Sequence, residues 1–179
     1  MSDLFLNPSN IGDAAAPNFA GRSASFECGA VVQISLHIDD AQRIVEAKFR
    51  SAGCSALVAS ASYLTSAITG ETTAEAATLG HRARLIAEQV GSDRIECAEL
   101  ACAALEAAIA QYSDARRDTW EGDDPLICTC FGVSERTIER EIEARQLKTI
   151  AAVTHACNAG AGCRSCYPLI EDILRTVNG

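Results

Sequence analysis

Nine cysteines stand in this chain of 179 residues: Cys28, Cys54, Cys97, Cys102, Cys128, Cys130, Cys157, Cys163 and Cys166. The number is odd. The N-terminal stretch Met1-Ser2-Asp3-Leu4-Phe5-Leu6 lacks the basic-then-apolar pattern of a secretory signal. The expected compartment is therefore the cytosol, where thiols stay reduced, and clustered cysteines there read first as metal ligands or reactive thiols. The C-terminal group is the most specific. Cys128-Thr129-Cys130 is a C-x-C pair, and Cys163-Arg164-Ser165-Cys166 is a C-x-x-C pair preceded by Gly160-Ala161-Gly162. Four thiolates in two close pairs suit one tetrahedral zinc ion or a two-iron, two-sulfide cluster, which takes two thiolates per iron. The glycines let the backbone turn tightly and aim N–H groups at sulfur. A helix starting near Cys166 would set its positive end beside an anionic site. Spacing alone leaves zinc and iron–sulfur both open.

Three further cysteines fall at junctions between elements. Cys28-Gly29 precedes a hairpin, Gly53-Cys54 separates a strand from a helix, and Cys97 opens a long helix. Loops at such places can present thiolates to one shared point. A helix N-terminus also lowers a thiol's pKa, which biases Cys54 and Cys97 toward thiolate. Periodicity alone would make these three structural thiols. Cys102, in mid-helix, reads as packing. His37, His81 and His155 are scattered and read as polar surface or strand residues, and no histidine near Cys97 supports a thiol enzyme.

The elements that must position these residues follow from hydrophobic period. Residues 1–25, rich in Asn, Pro, Gly, Ala and Ser, read as an irregular arm. Val32, Ile34, Leu36 and Ile38 alternate at period two, a half-buried strand. Ile44–Arg50 alternates again after a polar turn, with Val45, Ala47 and Phe49 on one face, and the two runs predict an antiparallel hairpin. Ser55–Thr69 reads as a helix stopped at Gly70, Thr72-x-x-Glu75 as a capping box, and Ala83–Val90 as a further helix. Cys97–Tyr112 is the strongest helical pattern, with Leu100, Ala101, Ala104, Leu105, Ala108 and Ile109 on one stripe. Ser113–Pro125 is polar apart from Trp120 and marks a boundary, giving domains 1–115 and 126–179 with a 116–125 linker. In the second, Ser134 and Thr149 are candidate N-caps, and a third helix begins at Ser165 or Cys166 with Pro168 in its first turn. So small a unit is marginal without a staple, which its cysteines could supply.

Composition agrees and excludes. Hydrophobic residues are 48% and charged residues 22%, ordinary for a folded protein. Aromatics are only 5%, so the core must be aliphatic. A net charge of −9 argues against binding to a phosphate backbone, which needs clustered Lys and Arg. No apolar run reaches the roughly 20 residues that span a bilayer. Neither nucleic acid nor membrane is an expected partner.

Two resemblances sharpen the reading. Cys128-Thr129-Cys130-Phe131-Gly132-Val133-Ser134, followed by Gly162-Cys163-x-x-Cys166-x-Pro168-Leu169-Ile170, resembles the BFD-like [2Fe-2S] domain over residues 126–176. That resemblance, not spacing, implies that Cys128, Cys130, Cys163 and Cys166 hold a permanent, redox-active [2Fe-2S] cluster in an all-α helix-turn-helix wrapping. Cys157 has no place in that motif and reads as a packed thiol. Asn7-Pro8-Ser9-Asn10-Ile11-Gly12, Cys28-Gly29, Ala47-x-Phe49-x-x-x-Gly53-Cys54-x-Ala56-x-x-Ala59-Ser60 and Cys97 resemble the NifU/IscU-type scaffold over residues 4–115. It implies an α+β domain, a small antiparallel sheet covered by helices, and a transient iron–sulfur cluster on Cys28, Cys54 and Cys97. The order of the two is that of NifU. The chain ends at Gly179 without the Nfu-type domain of full-length NifU proteins, so a short NifU-like protein is expected.

The implied function is a scaffold and carrier, not an enzyme. It would receive sulfur from a cysteine desulfurase, assemble a cluster, and pass it to apo iron–sulfur proteins, with a homodimer as the expected assembly. Two positions depart from the family: Ala30 where Asp usually follows the first Cys-Gly, and Glu96 where His usually precedes the third cysteine. Arg94 retains a charge seen in the family, and Gly91-Ser92-Asp93-Arg94 has no counterpart of the Pro-Pro chaperone segment. Glu96 is a candidate fourth ligand, since a carboxylate can complete an iron coordination sphere. The rival expectation is an electron-transfer or redox-sensing [2Fe-2S] protein with a degenerate first domain.

Overall fold

The computed structural model describes residues 3–118 and 124–179. Trp120 lies outside the described residues. The chain forms two compact units, Met1–Gln111 and Tyr112–Gly179.

The first unit is built on three antiparallel strands in the order β1-β2-β3: β1 (Phe19–Ala24), β2 (Val31–Ile38) and β3 (Ile44–Ala52). In β2 the alternation works as expected, and Val32, Ile34, Leu36 and Ile38 are all buried. In β3 it does not. His37 pairs with Glu46 but Ile38 pairs with Ile44, so Val45 is the extra residue of a bulge. A bulge resets which face each side chain takes. Ile44 therefore joins Ala47 and Phe49 in the core, while Val45, expected there, is exposed.

The N-terminal arm is not irregular. It contains α1 (Asp3–Leu6) and all of β1. Phe19-Ala20-Gly21-Arg22-Ser23-Ala24 has no β-branched residue, so its strand is invisible to propensity and is imposed by pairing with β2. The preceding segment is also tied down. Phe49 N–H donates to the Asn10 carbonyl at 2.8 Å, Gly12 N–H donates to the Phe49 carbonyl at 2.8 Å, and Ser9 N–H donates to Ser62 Oγ at 2.9 Å.

Helices cover the sheet: α2 (Ser55–Ile68), α3 (Thr73–Gly80), α4 (Ala83–Gln89) and α5 (Ile95–Asp118). The Thr72 capping box forms, with Thr72 N–H on Glu75 Oε2 at 2.9 Å and Glu75 N–H on Thr72 Oγ1 at 3.3 Å. Along α5, Ala98, Ala101, Ala104, Leu105, Ala108 and Ile109 are buried. The helix runs beyond Tyr112 to Asp118, so Arg116–Asp118 of the expected linker is helical. Small residues let α5 come close to the sheet, and a Cβ at Gly21 would overlap the Ala104 carbonyl oxygen and the Ala108 nitrogen.

The second unit has a short antiparallel pair, β4 (Leu126–Cys128) and β5 (Val133–Ser134), then α6 (Glu135–Arg145), α7 (Ile150–Cys157) and α8 (Tyr167–Asn178). Ser134 and Thr149 act as N-caps, accepting from the N–H groups of Thr137 and Ala152. Both α6 and α7 end on left-handed residues, Gln146 (φ 51°) and Asn158 (φ 63°), which release the orphan carbonyl end of a helix into a turn. Phe131, Val133, Ile138, Ile142, Val153, Ile170 and Leu174 make its core.

Gly21→Ala should destabilise the first unit by about 1–3 kcal/mol, the usual cost of overpacking, because the obstructing atoms are backbone and cannot swing away. Chemical denaturation followed by circular dichroism checks this, with Ala24→Gly as a strand control lacking the clash.

Candidate functional site

In the first unit the three expected cysteines arrive from three different junctions. Cys28 sits in the loop joining β1 and β2. That loop is closed by Ser25 N–H on the Ala30 carbonyl (2.8 Å) and Gly29 N–H on the Ser25 carbonyl (2.9 Å). Gly29 has φ +69°, a conformation that suits glycine. Cys54 is the N-cap of α2, and Cys97 lies in the first turn of α5. The Cys54 and Cys97 sulfurs are 3.4 Å apart. A Cβ on Gly53 would come within 3.1 Å of the Ala30 methyl. The Cys28 loop is thereby packed on the residue preceding Cys54, and the Cys54 charge reaches Cys28.

The thiols are not equivalent. The Cys28 pKa is lowered, first by its hydrogen bond with Ser25 and then by the Ala30 N–H. Burial pushes Cys54 up, but the N–H groups of Leu57 and Ala56 at the start of α2, the Cys97 thiol and the Arg94 charge bring it below the ordinary value. Cys97 moves the other way, to about 12, through burial, its bond to Cys54, the Cys54 charge and the Glu96 carboxylate. The expectation that a helix start would bias Cys97 toward thiolate is corrected: burial first, then the neighbouring Cys54 and Glu96 charges, outweigh the helix end. Glu96 is exposed and acts on Cys97 through its charge. A cleft of about 290 Å³ opens beside Cys54, lined among others by Phe5, Ser55, Val90 and Arg94.

In the second unit Cys128 ends β4, Cys130 lies in the following turn, Cys163 lies in the loop after α7, and Cys166 is the N-cap of α8. Cys130 and Cys163 sulfurs are 3.4 Å apart, and Cys166 shares a hydrogen bond with Cys128. Gly160 N–H points at Cys128 Sγ at 3.5 Å. Gly160 has φ +84°, and a Cβ there would lie 2.5 Å from Tyr167 Cε1; a Cβ on Gly162 would lie 3.0 Å from Cys130 Sγ. Only glycines allow this loop to lie against the sulfurs. Cys163 is lowered to about 7 by the Ser165 hydroxyl, the Ser165 N–H and the Cys130 thiol. Cys166 is pushed up to about 12 by burial and the Cys128 charge. The Cys163 N–H pulls Cys130 down, but burial and the neighbouring sulfurs leave it raised.

Among the described residues no three His, Cys, Asp or Glu side chains form a ready single-ion cage. The second-unit thiols approach two by two, Cys130 with Cys163 and Cys128 with Cys166, an arrangement that a cluster taking two thiolates per iron can use. Cys102 and Cys157 are buried, and Cys157 donates to the Val153 carbonyl, as packed thiols should. Two partners escaped the sequence reading: Ser25 on Cys28 and Ser165 on Cys163. The available signal was a serine two or three residues from a ligand candidate, which is too common to single out.

Comparisons with known proteins bear on this arrangement. The family described as NifU-like N terminal domain matches residues 1–119. The chain belongs to that family. The BFD-like [2Fe-2S] binding domain matches residues 126–176, so the second unit is a domain of that kind. The nitrogen fixation protein NifU of Trichormus azollae is 33% identical, with 98% of this chain and 62% of that protein covered. NifU of Azospirillum brasilense is 33% identical, with 99% and 58% covered. The chain thus spans about three-fifths of the length of these relatives. The mitochondrial iron sulfur cluster assembly protein 1 of Eremothecium gossypii is 31% identical, with 65% of this chain and 79% of that protein covered. A crystal structure from Fervidobacterium islandicum, of a protein assigned as an iron–sulfur cluster assembly scaffold for the SUF system, covers 60% of this chain and 95% of its own. Its TM-score is 0.50 at 20% identity, a likeness of fold.

In metal-free protein near neutral pH, iodoacetamide should label Cys28 and Cys54 well before Cys97, as read by peptide mass spectrometry. Glu96→Gln removes a negative charge, lowers the Cys97 pKa, and should speed Cys97 labelling several-fold. Equal rates in both chains would remove Glu96 as a cause.

Proposed function

We propose that this chain is an iron–sulfur cluster scaffold. It assembles a transient cluster on Cys28, Cys54 and Cys97 and hands it to apo iron–sulfur proteins, while Cys128, Cys130, Cys163 and Cys166 hold a permanent [2Fe-2S] cluster. Domains of residues 1–115 and 126–179 carry the two tasks. The observation behind this reading is the approach of Cys54 and Cys97 to 3.4 Å beside the Cys28 loop, in a different compact unit from the second set of thiols.

Iron and sulfide are cargo at the first site. A cation arriving there offsets the burial and the neighbouring negative charge that keep Cys97 protonated, and displaces its proton. Arg94, whose charge favours the thiolates of both Cys54 and Cys97, offsets part of the negative charge. Cys28 and Cys54 are exposed, so a donor or acceptor protein can reach them directly. Glu96, or a ligand from outside, completes the coordination. A cysteine desulfurase supplies sulfur, the working assembly is a homodimer, and the role is carriage without turnover of a small molecule. Cys128, Cys130, Cys163 and Cys166 would hold the permanent cluster, whose chemistry when bound would be to supply single electrons for assembly. No helix among the described residues is long and apolar enough to cross a membrane, and we place the protein in the cytoplasm.

Anaerobic reconstitution with iron, cysteine and a desulfurase, followed by a chelator, tests the reading. Two cluster populations should appear, one labile. Cys54→Ala should remove the labile population alone, and Cys163→Ser the stable one alone, by visible absorption. A single stable cluster under all conditions would instead assign the chain to electron transfer, with an idle first domain.

Ala30 is 7% exposed, with its methyl against Gly53, and cannot bind iron or carry a proton. Ala30→Asp places a carboxylate two residues from Cys28 and should release the transient cluster to an apo-ferredoxin several-fold faster. An unchanged transfer rate with equal loading would show that position 30 does not govern release.

A further inference from the structure

The four second-unit sulfurs differ in their access to water. Cys128 and Cys166 are 2% and 5% exposed; Cys130 is half-buried and Cys163 exposed. The close contact at 3.4 Å joins the two accessible ones, Cys130 and Cys163. Ser165 Oγ lies 3.0 Å from Cys163 Sγ. Once the sulfur is a metal-bound thiolate it has no proton, so the hydroxyl must be the donor. The loop is held in this form by Arg164 at φ +64° and by Tyr167 N–H on the Arg164 carbonyl at 3.1 Å.

We propose that the Cys130–Cys163 pair is the edge at which the second-domain cluster takes up its electron, and that the Ser165 hydroxyl on Cys163 holds its midpoint potential up. This rests on the ligand assignment made above. One electron from an external one-electron donor converts one ferric iron to ferrous; no bond forms or breaks, and the site becomes more negative by one charge. That charge is best accommodated where water reaches and a hydroxyl donates, since hydrogen bonds to the sulfurs and solvent exposure set such potentials. Among the described residues the buried pair meets almost no solvent and has no hydroxyl hydrogen-bonded to sulfur; its sulfurs share a hydrogen bond with each other and take the Gly160 N–H on Cys128 and the Cys166 N–H on Cys166. Ser165 is thus a positioning and tuning residue: it touches a ligand sulfur and not iron.

The test uses the full chain, anaerobically loaded, with dithionite as the donor. Ser165→Ala should keep the [2Fe-2S] absorption and shift the midpoint to lower potential in a mediated optical titration, while Ser165→Thr, which keeps the hydroxyl, restores it. In D2O, electron–nuclear double resonance of the reduced protein should lose one exchangeable-deuteron coupling in Ser165→Ala. An unchanged or higher midpoint in Ser165→Ala with intact absorption would overturn the proposal. So would loss of the cluster in Ser165→Ala with retention in Ser165→Thr, which would make the hydroxyl a retention device. An unsubstituted chain that holds no second-domain cluster would defeat the ligand assignment and this proposal with it, a result distinct from a cluster whose potential ignores Ser165.

Discussion

Sulfurs 3.4 Å apart repel one another once both are ionised, and both cysteine sets in this chain are arranged around that repulsion. In each set one thiol is lowered and a neighbour raised. Cys54 is lowered while Cys97 is pushed to about 12 by burial and by Cys54; Cys163 is lowered to about 7 while Cys130, 3.4 Å away, is raised, against the pull of the Cys163 N–H, by burial and by the Cys163 sulfur. A site holding protons it would lose to a cation is poised for metal, because ligation requires the thiolate. The fold supplies the proximity, and the metal relieves its electrostatic cost.

The two units hold their sulfurs by different means. The first uses element ends: a closed loop for Cys28, a helix start for Cys54, and the first turn of α5 for Cys97. Close packing sets their convergence, through Gly53 on Ala30 and through Gly21 against the backbone of α5. The second holds Cys128 and Cys130 at the end of β4 and in its turn, and folds against them one tight loop from Asn158 to Cys166, which carries Cys163 and Cys166 and whose left-handed residues and glycines bring the Gly160 N–H onto Cys128 sulfur. Adding a side chain at Gly160 or Gly162 would displace Tyr167 or Cys130.

That difference matches the two tasks proposed. Cys28 and Cys54 are exposed, and a cleft lies open beside Cys54. A cluster there can be reached by donor and acceptor proteins. Cys128 and Cys166 are buried while Cys130 is half-buried and Cys163 exposed, so a cluster held by the four, as proposed, would be shielded on the first pair's side and would meet solvent at the second. The proposed exchange and retention would then rest on the same chemistry at different depths.

Much of this was legible in the residues. The two C-terminal cysteine pairs, the glycines before the second, the Thr72 capping box and the N-caps Ser134 and Thr149 are local signals, and local signals survive folding because the interactions behind them span only a few residues. The period-two run of β2 and the stripe of α5 were legible for the same reason. β1 was not: its residues have little strand propensity, and pairing with β2 creates it. The β3 bulge at Val45 could not be read from alternation, since an unpaired residue is defined only by its partner strand. The raised Cys97 thiol was not legible because its helix position is local, while the burial that raises its pKa most and the Cys54 sulfur that adds to it, 43 residues away, come from tertiary packing. Residue type and spacing are properties of the chain, and they named the ligand candidates. Which sulfurs touch, which carry protons and which meet water are properties of packing between distant segments, and they arise only when the chain has closed on itself.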